Sequence, residues 1–343
     1  MGKSIGILNN IRMNASEVYA QRIPEATQEN IATIGMALEK YDLLYTEFFP
    51  ALFGKIGKTI IEKKLFNNKL ARFKSGAIHT QQDVEEIFIE MAKAEGSFDP
   101  TGPNPLGRRE GPDVKAIYHR MNRQDYYALS VGDLDVMRVF RSESTLDTFI
   151  AGLINSVYSG ASYDEWIAMK NLLATYDGYS IANVATMQQS EGPDPVDLPM
   201  DVVAKDFVKT VRKLAQDMSF PSIKFNKAGV MTWNNPGDLV LLVNKDLLAE
   251  IDVEVLSKAF NMGKTDIQVE IIPMDDFGTR ENTLGLLVDK DFFRVWDTLS
   301  KMEPQRNAQG LFTNYFYHIH QILSVSSFKN AVAIEGFTKE WDG

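Results

Sequence analysis

SESTLDTFIAGLINSVYSGASYDEWIAMKNLLATYDG, residues 142–178, carries the longest helical pattern in the chain. Leu146, Ile150, Leu153 and Val157 recur at three- and four-residue spacing and so share one face of a helix. Ser144 and Asp147 are placed like an N-terminal capping pair. Ser162 and Glu165 form a second capping box before Trp166, Met169, Leu173 and Tyr176, and Gly178 stands where a C-terminal cap is expected. The Gly160-Ala161 step is expected to break the pattern into two helices on one long, slightly broken axis.

Upstream of this axis the composition turns unusual. Between Lys55 and Lys74 the basic side chains are opposed only by Glu62, and between Asp83 and Asp99 the acidic ones are opposed only by Lys93. Two readings stand: solvated faces, or complementary patches that meet between copies of the chain. The stretch DPTGPNPLGRREGPD, residues 99–113, then brings four prolines and three glycines together, which no helix or central strand sustains. It reads as a long loop with little packing of its own, and such loops are uncommon in compact domains unless they have a function. At the N-terminus, Ile31, Ile34, Leu38 and Tyr41 predict a helix that closes near Pro50. It is either an arm reaching onto a neighbour or a helix packed on its own domain.

Downstream, QQSEGPDPVDLP marks a boundary near residue 195. Val203, Phe207, Val211, Leu214 and Met218 predict a helix over 201–218. The turn Asn234-Asn235-Pro236-Gly237-Asp238 leads into the apolar run Leu239–Val243, which suits a buried strand. A helix over 246–260 and strands at 269–272 and 284–288 follow, so 200–285 reads as a compact α/β unit. In the aromatic C-terminal part, Phe312–Val325 has no breaker and reads as one long strand, with another at Ala331–Ile334. The fold class expected is therefore mixed, α+β.

Composition excludes several functions. With no cysteine among 343 residues, disulfides, thiolate nucleophiles and thiolate metal sites are impossible. A formal net charge of −10 argues against a surface built to grip nucleic acid. The N-terminus lacks a signal peptide's apolar core, and the apolar runs are too short to span a bilayer. Gly57-Lys58-Thr59 and Gly263-Lys264-Thr265 end like phosphate loops, but Leu52 and Lys258 stand where the leading glycine belongs. His318 and His320 point to one side of a strand and could begin a zinc site, yet no third ligand is evident near them. No catalytic motif, metal set or cofactor signature is expected.

Longer collinear stretches carry a different signal. DVEVLSKAFNMGKTD at 252–266, the run from Leu287 to Ile334, NNKLARFKSGAIHTQQDVEEIF at 67–88 and PDVKAIYHRMNRQDYYAL at 112–129 closely resemble the major capsid protein of phi-29-like short-tailed phages. The resemblance covers about 55–335 and implies the Hong Kong 97-type capsid fold. It implies an N-terminal arm over 1–55 and an extended-loop region over 56–122, its loop spanning about 73–122. It further implies a peripheral domain over 123–199 with the spine helix, an axial domain over 200–285, and returning peripheral strands over 286–343. The resemblance to phi-29 also implies a further immunoglobulin-like domain after the capsid core, which this sequence, stopping at Gly343, is not expected to share.

The implied function is a virion shell subunit, assembled in the host cytoplasm, without catalytic, cofactor or metal residues and without a membrane partner. Its implied partners are copies of itself in pentamers and hexamers, a scaffolding protein, the portal protein and packaged DNA contacted non-specifically. Candidate inter-subunit contacts are Lys69, Arg72, Lys74, Glu85, Glu86, Arg108 and Arg109, and joint charge reversal at the first three is expected to impair assembly. The alternatives are an encapsulin-like non-viral shell protein and a cytosolic α/β ligand-binding enzyme.

Overall fold

A computed structural model describes residues 3–41, 43–44, 47–48, 51, 66–78, 83–92, 111, 113–132, 143–189, 195–235, 237–251 and 269–339. The helices are α1 (Lys3–Asn14), α2 (Glu17–Arg22), α3 (Ile31–Lys40), α4 (Glu143–Thr175), α5 (Met200–Asp217) and α6 (Lys245–Glu250). The strands run from β1 (Gly76–Ala77), β2 (Val84–Ile89), β3 (Val114–His119) and β4 (Arg123–Gly132) to β5 (Ser180–Gln188) and β6 (Val196–Asp197). They continue with β7 (Leu239–Asn244), β8 (Val269–Met274), β9 (Thr283–Asp289), β10 (Phe293–Asn307), β11 (Phe312–Val325) and β12 (Ala331–Lys339).

Helix α4 is the axis of the molecule. Its 33 residues run without interruption, about 50 Å at 1.5 Å per residue. The expected break at Gly160-Ala161 is absent because close packing holds the helix there. Ala161 is buried, and the open side of Gly160 lies against the Tyr127 ring. Ser162 is therefore an internal helical residue and not a cap, and Ser144 likewise falls inside the helix. Gly178 does not adopt the left-handed conformation of a helix stop. A side chain there would collide with the Tyr176 hydroxyl and the Lys227 stem, so close approach is the reason for glycine.

A four-stranded sheet, ordered β1-β10-β11-β4, packs along α4. On β11 the alternation of the pleat turns Tyr315, Tyr317, Ile319 and Gln321 inward, where Tyr317 and Ile319 meet Val157 and Ala161 of the helix. The strand covers the expected residues 312–325. Its partner β10 is a second long strand that sequence periodicity did not single out. Pro304 lies in it, which is tolerated because β1 covers only Trp296 and Asp297 on that side.

The second sheet has six strands, ordered β6-β5-β12-β9-β7-β8. The alternation in Leu239–Val243 serves two helices at once. Val240 and Leu242 face Trp166, Met169 and Leu173 of α4, whereas Leu239, Leu241 and Val243 face Val203, Phe207 and Val211 of α5. Helix, sheet and helix form three layers, and the central strands are apolar on both sides as such a position requires. The sheet extends past the 200–285 unit read from the sequence. Strand β12 is parallel to β5 and antiparallel to β9, so segments from before 200 and after 285 belong to it. The helix expected over 246–260 is seen in its first part as α6, and residues 252–268 lie outside the described set.

The N-terminal helices pack on their own chain. Ile5, Leu8, Ile11, Tyr19, Ile31, Ile34 and Leu38 form a core with Val131 of β4 and Tyr315 of β11. Of the two readings of this segment, the structure displays the one in which it covers the end of its own sheet.

Candidate assembly site

The chain segment 66–77 enters the body beneath α4, and the residues that receive it form a buried polar network. The Asn68 side-chain amide donates to Glu165 Oε1 at 2.8 Å, and Lys74 Nζ donates to Glu165 Oε2 at 2.8 Å. Lys74 also pairs with Asp297 of β10 at 2.7 Å. Gln321, only 1% exposed, gives one amide hydrogen to Glu165 and the other to Asp297, both at 2.6 Å. Its carbonyl accepts from Arg123 at 2.7 Å, and Arg123 reaches on to Asp125 and the Tyr127 hydroxyl. Tyr127 in turn donates to Asp164 of α4 at 2.6 Å.

Nearly every donor and acceptor in the network is used, the condition under which buried polar groups rigidify a fold. Burial works against the Lys74 charge, but Glu165 and Asp297 more than offset it and raise its pKa. Glu165, read from sequence as a capping residue, is thus the hub that ties the loop root to helix and sheet.

Beyond this root, β2 and β3 form a two-stranded hairpin whose faces differ. The inner face is clamped to the body. Glu86 Oε1 accepts from Arg294 at 2.7 Å and from Ser326 Oγ at 2.9 Å, and Glu86 Oε2 lies 3.1 Å from His119 Nε2. His119 is buried, with Nδ1 2.7 Å from Ser324 Oγ. Phe88 packs on Phe328, and Lys115 Nζ donates to the Ala228 carbonyl at 3.2 Å. The outer face carries Ile87, Ile89, Val114 and Tyr118, each more than half exposed. A lone two-stranded hairpin is marginal in water, so the clamp supplies its order.

Burial alone would raise the Glu86 carboxyl. Hydrogen bonds from His119 and Arg294, together with the Arg294 charge, outweigh it and hold the pKa at about 2 against an ordinary 4.5. A depressed carboxyl pKa contributes stability that is complete above about 4.5 and is lost as pH falls toward 2. On the order of 2 kcal/mol is expected to disappear over that window. Urea unfolding of the wild-type chain and of Glu86→Gln at stepped pH checks this. Equal pH slopes for the two proteins would remove Glu86 as the cause.

The sequence candidates fall into three groups. Lys74 and Glu86 are engaged inside the subunit, in the two networks above. Lys69, Arg72 and Glu85 are exposed; Arg72 pairs with Glu270, Lys69 reaches the Pro273 carbonyl, and Glu85 accepts from the Tyr118 hydroxyl. Arg108 and Arg109, with most of the Pro/Gly-rich stretch, lie outside the described residues. Sequence reading missed Gln321, Arg123, Asp297, His119 and Arg294. Local pattern offers one clue to them, a glutamine pointing to the buried side of an aromatic strand. Among the described residues no cluster of side chains fit to hold a metal ion is found.

Comparison with known proteins adds an independent line. A family model described as "Phi29-like phage major capsid protein" matches residues 8–335. The major capsid protein of Bacillus phage B103 is 35% identical over 335 residues, covering 96% of this chain and 72% of the relative. That of Streptococcus phage Cp-1 is 28% identical, covering 95% of this chain and 93% of the relative. Among solved structures, the capsid of Staphylococcus phage Andhra superposes with a TM-score of 0.63 at 13% identity, covering 80% of this chain and 86% of that one.

Proposed function

The chain belongs to the Phi29-like phage major capsid protein family, and on that premise we propose how its parts divide the work of building a shell. It is the major capsid protein of a tailed-phage head, a virion component with the Hong Kong 97-type fold that self-assembles into a multi-subunit shell. Its role is structural.

In our reading, 56–122 serves as the extended-loop region laid on a neighbouring copy, while 1–55 is the arm region whose helices cover the end of their own sheet. Residues 123–199 and 286–343 form the peripheral domain on α4, and 200–285 form the core of an axial domain. Copies gather as pentamers and hexamers in the host cytoplasm around a scaffolding protein, with a portal protein at one vertex. The DNA inside touches the acidic chain only non-specifically. The observation that carries the loop assignment is the β2–β3 hairpin, clamped to its own body on one face and bearing an exposed apolar face on the other. Exposed contiguous apolar surface of that kind marks an interaction site.

Lys69, Arg72 and Glu85 are the contact candidates we retain for direct test, because reversing Lys74 would set a carboxylate beside Glu165 and Asp297 and unfold the root instead. The wild-type chain is expected to give shells or capsomer rings in sedimentation and negative-stain microscopy. Lys69→Glu combined with Arg72→Glu is expected to lose no more than about 1 kcal/mol of stability, from the exposed Arg72–Glu270 pair, but to assemble poorly, most of all at low salt, where surface charge is least screened. Normal shells from the double variant would remove these two side chains from the interface. A wild-type chain that stays monomeric under all assembly conditions would overturn the loop assignment.

A further inference from the structure

Residues 219–235 form a second exposed apolar surface that the other described residues leave uncovered. Ser222 and Thr232 pair as an antiparallel bridge, which sets Ile223 opposite Met231 and Pro221 opposite Trp233. Phe220, Ile223, Met231 and Trp233 are between 44% and 69% exposed. A flexible loop could hide such side chains, but this one is held from beneath. Asn226 donates to the Val230 carbonyl at 2.7 Å and to Thr232 Oγ1 at 3.0 Å. Thr232 donates to Asn330, Asn330 to Asn234, and Asn234 to the buried Asp289, each at 2.7 Å. Asn226, Asn234, Asp289 and Asn330 are all buried. A surface so pre-organised loses little freedom when it is covered.

We propose that this loop is a docking surface for a second copy of the chain, and that it receives the outer face of that copy's β2–β3 hairpin. The inference rests on the assembly reading above and deepens it by naming the receiving surface. Three observations select this occupant. First, within one subunit the two surfaces look away from each other. The Lys115 contact to Ala228 places the inner face of the hairpin toward the loop, so the outer face points elsewhere. Second, the charges complement. The loop presents Lys224, beside a Lys227 already paired with Asp177 of its own subunit, and has no acidic residue from 219 to 235, while the outer face of the hairpin carries Glu85, beside an Asp83 already paired with Arg120. Third, two unlike apolar patches on one chain generate a head-to-tail contact, which propagates from copy to copy as a shell needs.

The absence of cysteine makes the test direct. Chains bearing Ile87→Cys and chains bearing Met231→Cys are mixed as a minority with wild-type chain, assembled, and oxidised. A second mixture uses Ile89→Cys with Trp233→Cys. The expected result is a disulfide-linked pair of unlike variants, released by reductant and absent when either variant is supplied without the other. The wild-type majority keeps assembly from depending on the substituted positions, so shells without crosslinks in both mixtures overturn the proposal while leaving the assembly reading intact. Crosslinking of each variant to its own kind also overturns it. Failure of the wild-type chain to assemble would instead strike the assembly reading.

Discussion

Replacing Glu165 by alanine is expected to lower the folding free energy by about 4 kcal/mol, the range for removing one partner from a buried ion pair. The loss does not come from one bond. Asn68 loses its carboxylate acceptor, Lys74 keeps only Asp297, and Gln321 is left with one of its two acceptors. Buried donors without partners each cost about 1–3 kcal/mol. Glu165→Gln, which retains an acceptor oxygen but no charge, is expected to lose about half as much. Urea unfolding followed by tryptophan fluorescence measures both, and a loss below about 1 kcal/mol for the alanine variant would mean the network is not a structural hub. Because the same residues seat segment 66–77, the alanine variant is also expected to assemble poorly at temperatures where it remains folded.

A comparable loss, about 4 kcal/mol, is expected for Phe207→Ala, which empties the centre of the core between α5 and the six-stranded sheet. Phe207 is fully buried and fills the space left by Gly285 of β9. A methyl group on Gly285 would lie 3.0 Å from the Phe207 ring and 3.0 Å from the Leu242 carbonyl oxygen. The two positions are therefore coupled, and coupled neighbours are not additive. Gly285→Ala is expected to cost less in the Phe207→Ala background than in wild type, because only the carbonyl clash remains. Chemical unfolding of the four proteins of this cycle reads the coupling, and strict additivity would refute the contact.

What the sequence made legible follows the range of the signal. Phe312–Val325 declares itself as a strand because β-branched and aromatic residues run without a breaker, and the pattern needs no distant partner to be recognised. The apolar run 239–243 and the stripe of α5 are equally local. The break assigned at Gly160-Ala161 was a local signal overridden by a distant one, since the Tyr127 ring that lies over the glycine comes from another strand. Strand β10 escaped notice because Pro304 and its charged neighbours read as a loop unless one knows that the position is an edge. The assembly site was least legible. Glu165 meets Asn68 across 97 residues and Gln321 across 156, separations at which periodicity says nothing. The exposed hairpin face is different again, because VEEIFI and VKAIYH show no clean alternation and only the pairing of β2 with β3 gathers Ile87, Ile89, Val114 and Tyr118 on one uncovered side.

The uncovered half of β10 has a consequence for a protein that must crowd against its own copies. Beyond Asp297 that strand presents backbone groups with no neighbouring strand among the described residues, a template for sheet-to-sheet fusion. Pro304 removes one donor from the row, and Lys301, Glu303 and Arg306 put charge around it. An exposed edge so blunted resists unlimited growth of ribbons between subunits. The chain can thus accumulate to the concentrations that closing a container demands while its association stays confined to surfaces that stop when the container is closed.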